Sequence, residues 1–216
     1  MPFVRHVAAL GALLVLSSCA TAPSPRRSSE ATPVAEPSPS RSVVTLGAPG
    51  EELDPGRYTR EGFEPRITFA VGDGWTAEQA ASGFFDIQDD PGSLDVVAVQ
   101  FANVVGDASA DDVVAQIQSN PQLSVSDPEG VEIGGLEGTQ VVVETTDPSD
   151  TEPPVFRPVL VIAAGPLSIA SGRRLQVNLF DTPNGVLAIL VGGSIAEWDR
   201  ALQASEPVLE SVTIGG

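Results

Sequence analysis

The 216-residue chain contains 29 Asp and Glu residues against 11 Arg, has no Lys, and carries a formal net charge of −18. Its single histidine, His6, and its single cysteine, Cys19, lie near the N-terminus, so a Ser-His-Asp triad, a Cys-His pair or a lysine nucleophile cannot be assembled beyond residue 19, and zinc lacks its usual ligands there. The negative charge also argues against nucleic-acid binding, which depends on Lys and Arg to neutralise phosphates.

The N-terminus has the pattern of a secretory leader. Arg5 and His6 precede the apolar run 7–16, and small residues follow it. The run is shorter than the roughly 20 apolar residues that a membrane-spanning helix needs. We therefore predict a signal peptide over residues 1–18. Because this segment holds Arg5 and no acidic residue, its removal changes the formal charge from −18 to −19.

The end of this leader, Leu16-Ser17-Ser18-Cys19, resembles the lipobox of bacterial lipoproteins. The resemblance implies cleavage before Cys19, attachment of a diacylglycerol to its sulfur, and often acylation of the new amino group with a fatty acid such as palmitate. Two or more acyl chains anchor a protein stably, whereas one binds only marginally. The implied location is the outer, extracytoplasmic face of the cell membrane. An ordinary leader with an incidental cysteine is the alternative. The composition, without lysine and rich in Arg, Ala, Gly, Val and Pro, resembles that of actinobacterial proteins.

Residues 19–45 are predicted to form a disordered tether behind the lipidated Cys19. The segment is rich in Pro and Ser and lacks aromatic residues, so it cannot bury enough apolar surface to offset the entropy lost on ordering. The remaining residues, 46–216, have the length of a single domain.

The first half of this domain is predicted to contain strands and one helix. The alternating segment RITFAV at 66–71 predicts a strand that ends in a turn at 72–75. The segments 83–88 and 94–104 flank a Pro-Gly turn and predict a hairpin. SADDVVAQIQSN then predicts a short amphipathic helix capped by Ser109.

In the second half, residues 123–146 are predicted to form two or three strands, broken at Gly134-Gly135 and at Gly138. Residues 147–154 are expected to be an exposed acidic loop. Further strands are predicted at 156–164, 174–180 and 185–193. Within them the runs Val159–Ala164 and Val186–Val191 are continuously apolar, which is typical of strands covered on both faces.

The C-terminal segment is predicted to contain the second helix. Ser194 and Glu197 have capping-box spacing. One stripe at helical spacing then follows: Ile195, Trp198, Leu202, Ser205, Leu209 and Val212. Pro207 removes a backbone donor, so we expect a kink or break near residues 204–206. The sequence SVTI is expected to close the chain as a strand.

Together these elements predict an α+β fold, with a largely antiparallel sheet and few flanking helices in a layered α/β/α-type sandwich. The succession of ITFAVGDGW, a hairpin, a helix, VSDPEGVEIGGLEGTQVVVE and the closing VLAILVGGSIAEWDRALQASEPVLESVTI resembles the Mog1/PsbP-like fold and lipoproteins of the LpqN type. The resemblance implies a binding or assembly module, because members of that fold mostly serve in this way.

Three sets of residues are candidates for a site. Asp86, Asp89, Asp90 and Asp95 are interpreted as solvated turn residues; calcium binding is the alternative, although their spacing does not match an EF-hand loop. Arg173 and Arg174 either bind a carboxylate or phosphate, or pair with local acids. Trp75 and Tyr58 are candidates, with the two arginines, for the rim of an apolar pocket.

The leading hypothesis is a lipid-anchored, extracytoplasmic binding or assembly module without catalytic activity. It uses no cofactor or metal, contacts the membrane through Cys19, and meets an envelope protein or a small apolar ligand. The first alternative is a small-molecule or lipid-binding lipoprotein with an internal pocket. The second is a carboxylate-dependent hydrolase of the cell envelope, which needs an Asp/Glu pair about 5–10 Å apart.

Overall fold

The computed structural model describes residues 42–93, 95–150 and 152–215. The strands are β1 (Val43–Thr45), β2 (Glu51–Leu53), β3 (Gly56–Thr59), β4 (Arg66–Val71), β5 (Trp75–Ala81), β6 (Phe84–Asp89), β7 (Val97–Asn103), β8 (Leu123–Val125), β9 (Glu129–Ile133), β10 (Leu136–Thr145), β11 (Phe156–Ile162), β12 (Gly165–Ala170), β13 (Arg173–Thr182), β14 (Gly185–Ser194) and β15 (Thr213–Gly215). The helices are α1 (Ala110–Gln118) and α2 (Trp198–Ser211).

A large sheet forms the middle layer, with strand order β2-β5-β6-β7-β14-β13-β10-β8 and with β9 also paired to β10. Its pairings are antiparallel. A second sheet, β1-β3-β4-β15, and a two-stranded hairpin, β11-β12, complete the strands that the structure describes. Only β1 and β3 pair in parallel among these strands. The α+β class and the largely antiparallel arrangement are therefore confirmed.

The two faces of the large sheet support two separate cores. On β14, Leu187 and Ile189 join a core with α2 and the β1-β3-β4-β15 sheet, whereas Ala188 and Leu190 join a core with α1 and the β11-β12 hairpin. We call these the α2 face and the α1 face. Because successive side chains of a strand point to opposite faces, one apolar run serves both cores. The prediction that Val186–Val191 is covered on both faces is confirmed, since all six residues are buried.

Helix α1 forms as its sequence predicts. The Ser109 hydroxyl accepts a hydrogen bond from the Asp112 N–H, and the Asp112 carboxylate accepts one from the Ser109 N–H, which completes a capping box. The helix buries Val113, Val114 and Ile117 on the α1 face. The predicted hairpin of 83–88 with 94–104 is also present, as the antiparallel pair of β6 and β7.

Helix α2 differs from its prediction in two ways. It begins at Trp198 with Glu197 as the N-cap residue; the Ser194 hydroxyl accepts from the Glu197 N–H, but the Glu197 side chain makes no capping bond. The helix also runs unbroken through Pro207, so of the kink or break expected near residues 204–206 the break is wrong. Pro207 is exposed, and burial of Ser205 and Val208 on the opposite side holds the helix against the sheet.

Three further expectations need correction. Gly138 lies inside β10 instead of ending a strand, and its missing side chain leaves room for the Phe180 ring. The run Val159–Ala164 is covered on one side only: β11 belongs to an outer hairpin, and Val161 is 53% exposed. Residues Val43–Thr45, which the sequence assigns to the tether, form β1.

The β9-β10 hairpin brings two like charges together. Its register places Glu132 directly opposite Glu137, and opposed like charges destabilise a strand pair. The other side of the hairpin compensates, because Ile133 is buried in the α2-face core and Leu136 packs against that core.

The contact between α2 and β14 depends on Gly193. A Cβ atom on Gly193 would lie 2.5 Å from the Ala201 Cβ, whereas a Cβ on the neighbouring Gly192 would meet Leu175 and Ala98 at ordinary distances. We expect Gly193→Ala to lower the free energy of unfolding by about 1–3 kcal/mol through overpacking. Gly192→Ala is the matched control. Urea unfolding that finds equal losses for both variants would contradict this account of helix docking.

Pro207 is expected to cost stability. In α2 it leaves the Gln203 carbonyl without its helical donor, and its side chain is exposed, so Pro207→Ala removes no core packing. We expect Pro207→Ala to raise the free energy of unfolding by roughly 1–3 kcal/mol. Glu206→Ala, at the adjacent exposed position, serves as the control in the same urea titration, and a destabilised Pro207→Ala protein would show that the proline has a role of its own.

Candidate functional site

A groove runs between the β11-β12 hairpin and the large sheet, along β5, β6 and β7 at one end and along β7, β13 and β14 at the other. It consists of two adjoining depressions of about 290 Å³ and 190 Å³, which share Gln100 on the sheet side and Ser168 on the hairpin side. Gln79 and Phe84 line one end, and Phe156 and Arg173 line the other. We call this groove the β12 trough. It is open to solvent, because the hairpin covers only part of the α1 face.

The trough has an unusual charge for this molecule. None of its lining residues in the described part of the chain is Asp or Glu, although the whole chain carries 29 of them. Arg173 and Arg174 border it, and only the Arg173 side chain lies on the same face of the sheet as the trough. The trough is therefore a strip without exposed carboxylates on a strongly acidic protein.

Below the trough, Asp86 organises the floor. The side chain is 1% exposed, and its carboxylate accepts hydrogen bonds from the Gln79 N–H at 2.7 Å and from the Gln88 amide at 3.0 Å. The bond to Gln79 lies at an irregularity in the pairing of β5 with β6, where a ladder bond is lost. Burial raises the pKa of Asp86 above its ordinary value, and these hydrogen bonds partly oppose the effect. The carboxylate thus satisfies a displaced backbone donor and positions the amides.

Arg173 and Arg174 do not form one site. Adjacent residues of a strand point to opposite faces, and Arg174 lies on the α2 face, where its Nε donates to Glu144 at 2.6 Å and its guanidinium lies 5.5 Å from the centre of the Trp198 ring. Arg173 lies at the α1 face and donates to the Val96 carbonyl at 2.7 Å. Burial lowers the pKa of the Arg173 guanidinium, and the Asp95 carboxylate partly opposes this shift.

Arg173 also lines a second cleft, of about 570 Å³, at the end of the large sheet. This cleft lies between the Ser171-Gly172 turn, Glu152 of the acidic loop and the Ile195 segment before α2. The acidic loop at 147–154 is tied to β11 by Asp147, which accepts two hydrogen bonds from Arg157 at 2.7 and 2.9 Å. Arg157 lowers the pKa of Asp147 through these bonds.

The two aromatic candidates lie away from the trough. Trp75 is 5% exposed and belongs to the α2-face core, so it is a packing residue and not a rim residue. Tyr58 is 7% exposed and lines a separate groove of about 410 Å³ near Glu51, and its hydroxyl donates to the Asp54 carbonyl at 2.8 Å. Burial, followed by the charges of Asp54 and Glu51, raises the pKa of Tyr58.

The four clustered aspartates are dispersed. Asp86 faces the α1 side, Asp89 forms an ion pair with Arg200 of α2 at 2.9 Å, and Asp90 occupies an exposed turn with a positive φ of 55°. Asp95 accepts from the Ser194 hydroxyl at 3.1 Å. Within residues 42–93, 95–150 and 152–215, no group of three or more acidic, His or Cys side chains has an arrangement that could hold a metal ion.

Cys19 and the rest of the predicted leader lie outside the described residues. None of the helices that the structure describes is both long and apolar enough to span a bilayer.

Sequence comparison finds no relative: no protein-family model matches the chain, and no curated protein matches it. Comparison of structures finds LpqN of Mycobacterium tuberculosis, described as involved in cell envelope biogenesis, with a TM-score of 0.42 and 14% identity over 80% of this chain and 89% of that one. Cyanobacterial PsbP from Synechocystis matches with a TM-score of 0.45 and 13% identity, over 79% of this chain and 99% of that one.

A Bacteroides thetaiotaomicron protein matches with a TM-score of 0.39 and 8% identity. The match covers 69% of this chain but only 45% of the length of that protein. Scores and identities this low do not establish a shared family, so membership of the Mog1/PsbP-like group stays a prediction.

Asp86 provides a test of how the trough floor is built. The pKa of Asp86 is higher in the native state than in the unfolded chain. The native state is therefore stabilised relative to the unfolded chain as the pH falls through this pKa. Asp86→Asn removes the titrating carboxyl group and with it this gain in stability. We expect Asp86→Asn to cost less than about 1 kcal/mol at neutral pH, because its carbonyl can still accept from Gln79. Asp86→Leu leaves the Gln79 N–H and Gln88 amide unpaired and is expected to cost about 2 kcal/mol or more.

The measurement is urea unfolding of the three proteins at neutral pH and at a pH near the ordinary pKa of an aspartate. The stability of the wild type relative to Asp86→Asn should increase toward the lower pH. Equal losses for Asn and Leu at neutral pH would mean that hydrogen-bond acceptance at this position is unimportant.

Proposed function

We propose that this protein is a lipid-anchored, extracytoplasmic binding or assembly module, without catalytic activity, that meets its partner at the β12 trough. The observation that carries the proposal is the combination of two densely packed cores with an open, carboxylate-free groove on an acidic surface. An open groove between a sheet and a hairpin suits a segment of another macromolecule, since small-molecule sites bury most of their ligand in a concave pocket.

The lipobox resemblance supports the anchored part of the proposal. Leu16-Ser17-Ser18-Cys19 follows a leader-like segment and precedes a Pro/Ser-rich stretch. A strongly negative protein is repelled by anionic lipid head groups, so attachment through acyl chains at Cys19 is the physically consistent way to hold it at a membrane.

The two alternatives gain no specific support. Both faces of the large sheet are filled by buried apolar side chains, which leaves the internal-pocket hypothesis without an observation in its favour. For a hydrolase, the acids that the structure places in defined contacts serve other purposes: Asp86 satisfies Gln79, and Glu144 and Asp89 pair with arginines.

Cys19→Ala tests the anchor. We expect the wild-type protein to fractionate with membranes, to be released by detergent, and to carry diacylglycerol at a mature N-terminal Cys19 in intact-mass measurement. The Cys19→Ala protein should lack the lipid mass, because no sulfur is available for acylation.

Ser18→Ala is the matched control, since it keeps a small residue in the lipobox and should be lipidated like the wild type. An unmodified wild-type protein in the cytosol with its leader attached would overturn the anchored part of the proposal. Crosslinking of the lipidated protein in its own membrane, followed by mass spectrometry of the captured polypeptides, tests the binding part.

A further inference from the structure

We infer that the β12 trough binds an extended peptide segment of a partner protein, which adds as a strand to the free edge of β12. The inference rests on the proposed function and specifies its partner class. It starts from the topology: in the described residues β12 pairs only with β11, so its other edge, which borders the trough, lacks a partner strand. The unpaired N–H and C=O groups of such an edge are a template for another chain.

The register identifies the backbone groups at this edge. Ser171 donates its N–H to the Val155 carbonyl, and hydrogen-bonded pairs alternate with non-bonded pairs along an antiparallel ladder. The backbone of Ile169 therefore faces Arg157 of β11, whereas Ser168 and Ala170 direct their N–H and C=O groups toward the trough. Ser168 and Ala170 both line the trough.

The surroundings define the chemistry of the peptide. Opposite the edge, the Gln79 amide can both donate and accept hydrogen bonds, which suits polar groups of a peptide, and Gln100, whose side chain also bonds to Asp86, lies beside it. The absence of lining carboxylates, together with Arg173 at one end, favours uncharged or acidic side chains over basic ones. Phe156, 65% exposed at the same end, supplies an apolar contact.

Proline at position 168 tests this mode directly. Ser168→Pro removes the N–H that faces the trough without removing a β11-β12 ladder bond, and the hairpin already carries Pro158 directly opposite. Ser168→Ala is the matched control, because it changes the side chain and keeps the N–H. Phe156→Ser is a second variant that leaves the β12 backbone intact, and its exposure makes loss of folding unexpected.

The probe is a displayed library of random peptides of about 12 residues, long enough to run along a six-residue strand. Peptides that bind the full-chain Ser168→Ala protein are kept, and peptides that also bind the Ser168→Pro protein are removed. Both steps use about 300 mM NaCl, which screens non-specific electrostatic attraction to the acidic surface. We expect peptides poor in Lys and Arg that bind wild type and Ser168→Ala alike and lose at least about tenfold in affinity on Ser168→Pro and on Phe156→Ser. Amide exchange at Ser168 and Ala170 should slow when such a peptide is bound.

The inference is overturned if the library yields no peptide that discriminates between the two position-168 variants, or if the selected peptides bind Phe156→Ser as tightly as the wild type. Circular dichroism and thermal unfolding check the variants first; if Ser168→Pro does not fold, selection against Phe156→Ser decides the outcome. Because the Cys19 experiments do not involve the trough, failure of the peptide selection leaves the result on the membrane anchor intact.

Discussion

Alternation of side chains along β13 and β14 is the constraint on which the described fold depends. Each of these strands sends successive residues to opposite faces, so Leu187 and Ile189 stabilise the α2-face core while Ala188 and Leu190 stabilise the α1-face core. A shift of one residue in the pairing of β13 with β14 would exchange the two sets. The positions of α2 on one side, and of α1 and the β11-β12 hairpin on the other, follow from that register.

The parts of the fold that the sequence predicts correctly are those in which local signals agree with burial. RITFAV alternates because β4 has one buried face. The capping box of Ser109 and Asp112 is a local signal for the start of α1, although the Ala110 N–H also donates to the distant Asp181 carboxylate at 2.9 Å. The strands that the sequence misses have weak local signals: β12 begins with Gly-Pro, and β5 reads WTAEQAA, which has little β-branched or aromatic character. Their pairing partners, β11 and β6, determine their structure. Pro207 is a comparable case in a helix: the local signal for a break is overridden by tertiary packing, because the packing of α2 outweighs the loss of one backbone hydrogen bond.

The candidate site is less accessible to sequence reasoning than the fold. Arg173 borders the trough, whereas its neighbour Arg174 lies on the other face of the sheet, a separation that strand alternation predicts once the strand is assigned. Trp75 has a glycine-rich context suggestive of a rim, yet its ring is buried in the core. Gln79, Gln100 and Ser168 carry no motif at all. They meet only because β12 crosses over the sheet, which is a long-range consequence of the hairpin.

The opposed pair Glu132 and Glu137 has a consequence for local motion. Since the two carboxylates repel each other across the β9-β10 hairpin, this hairpin has a smaller free energy of local opening than a neutral hairpin with the same buried residues would have. Dissolved ions weaken repulsion between exposed charges. The free energy of local opening of the β9-β10 hairpin therefore increases with salt concentration, so this end of β10 opens more often at low salt than at high salt.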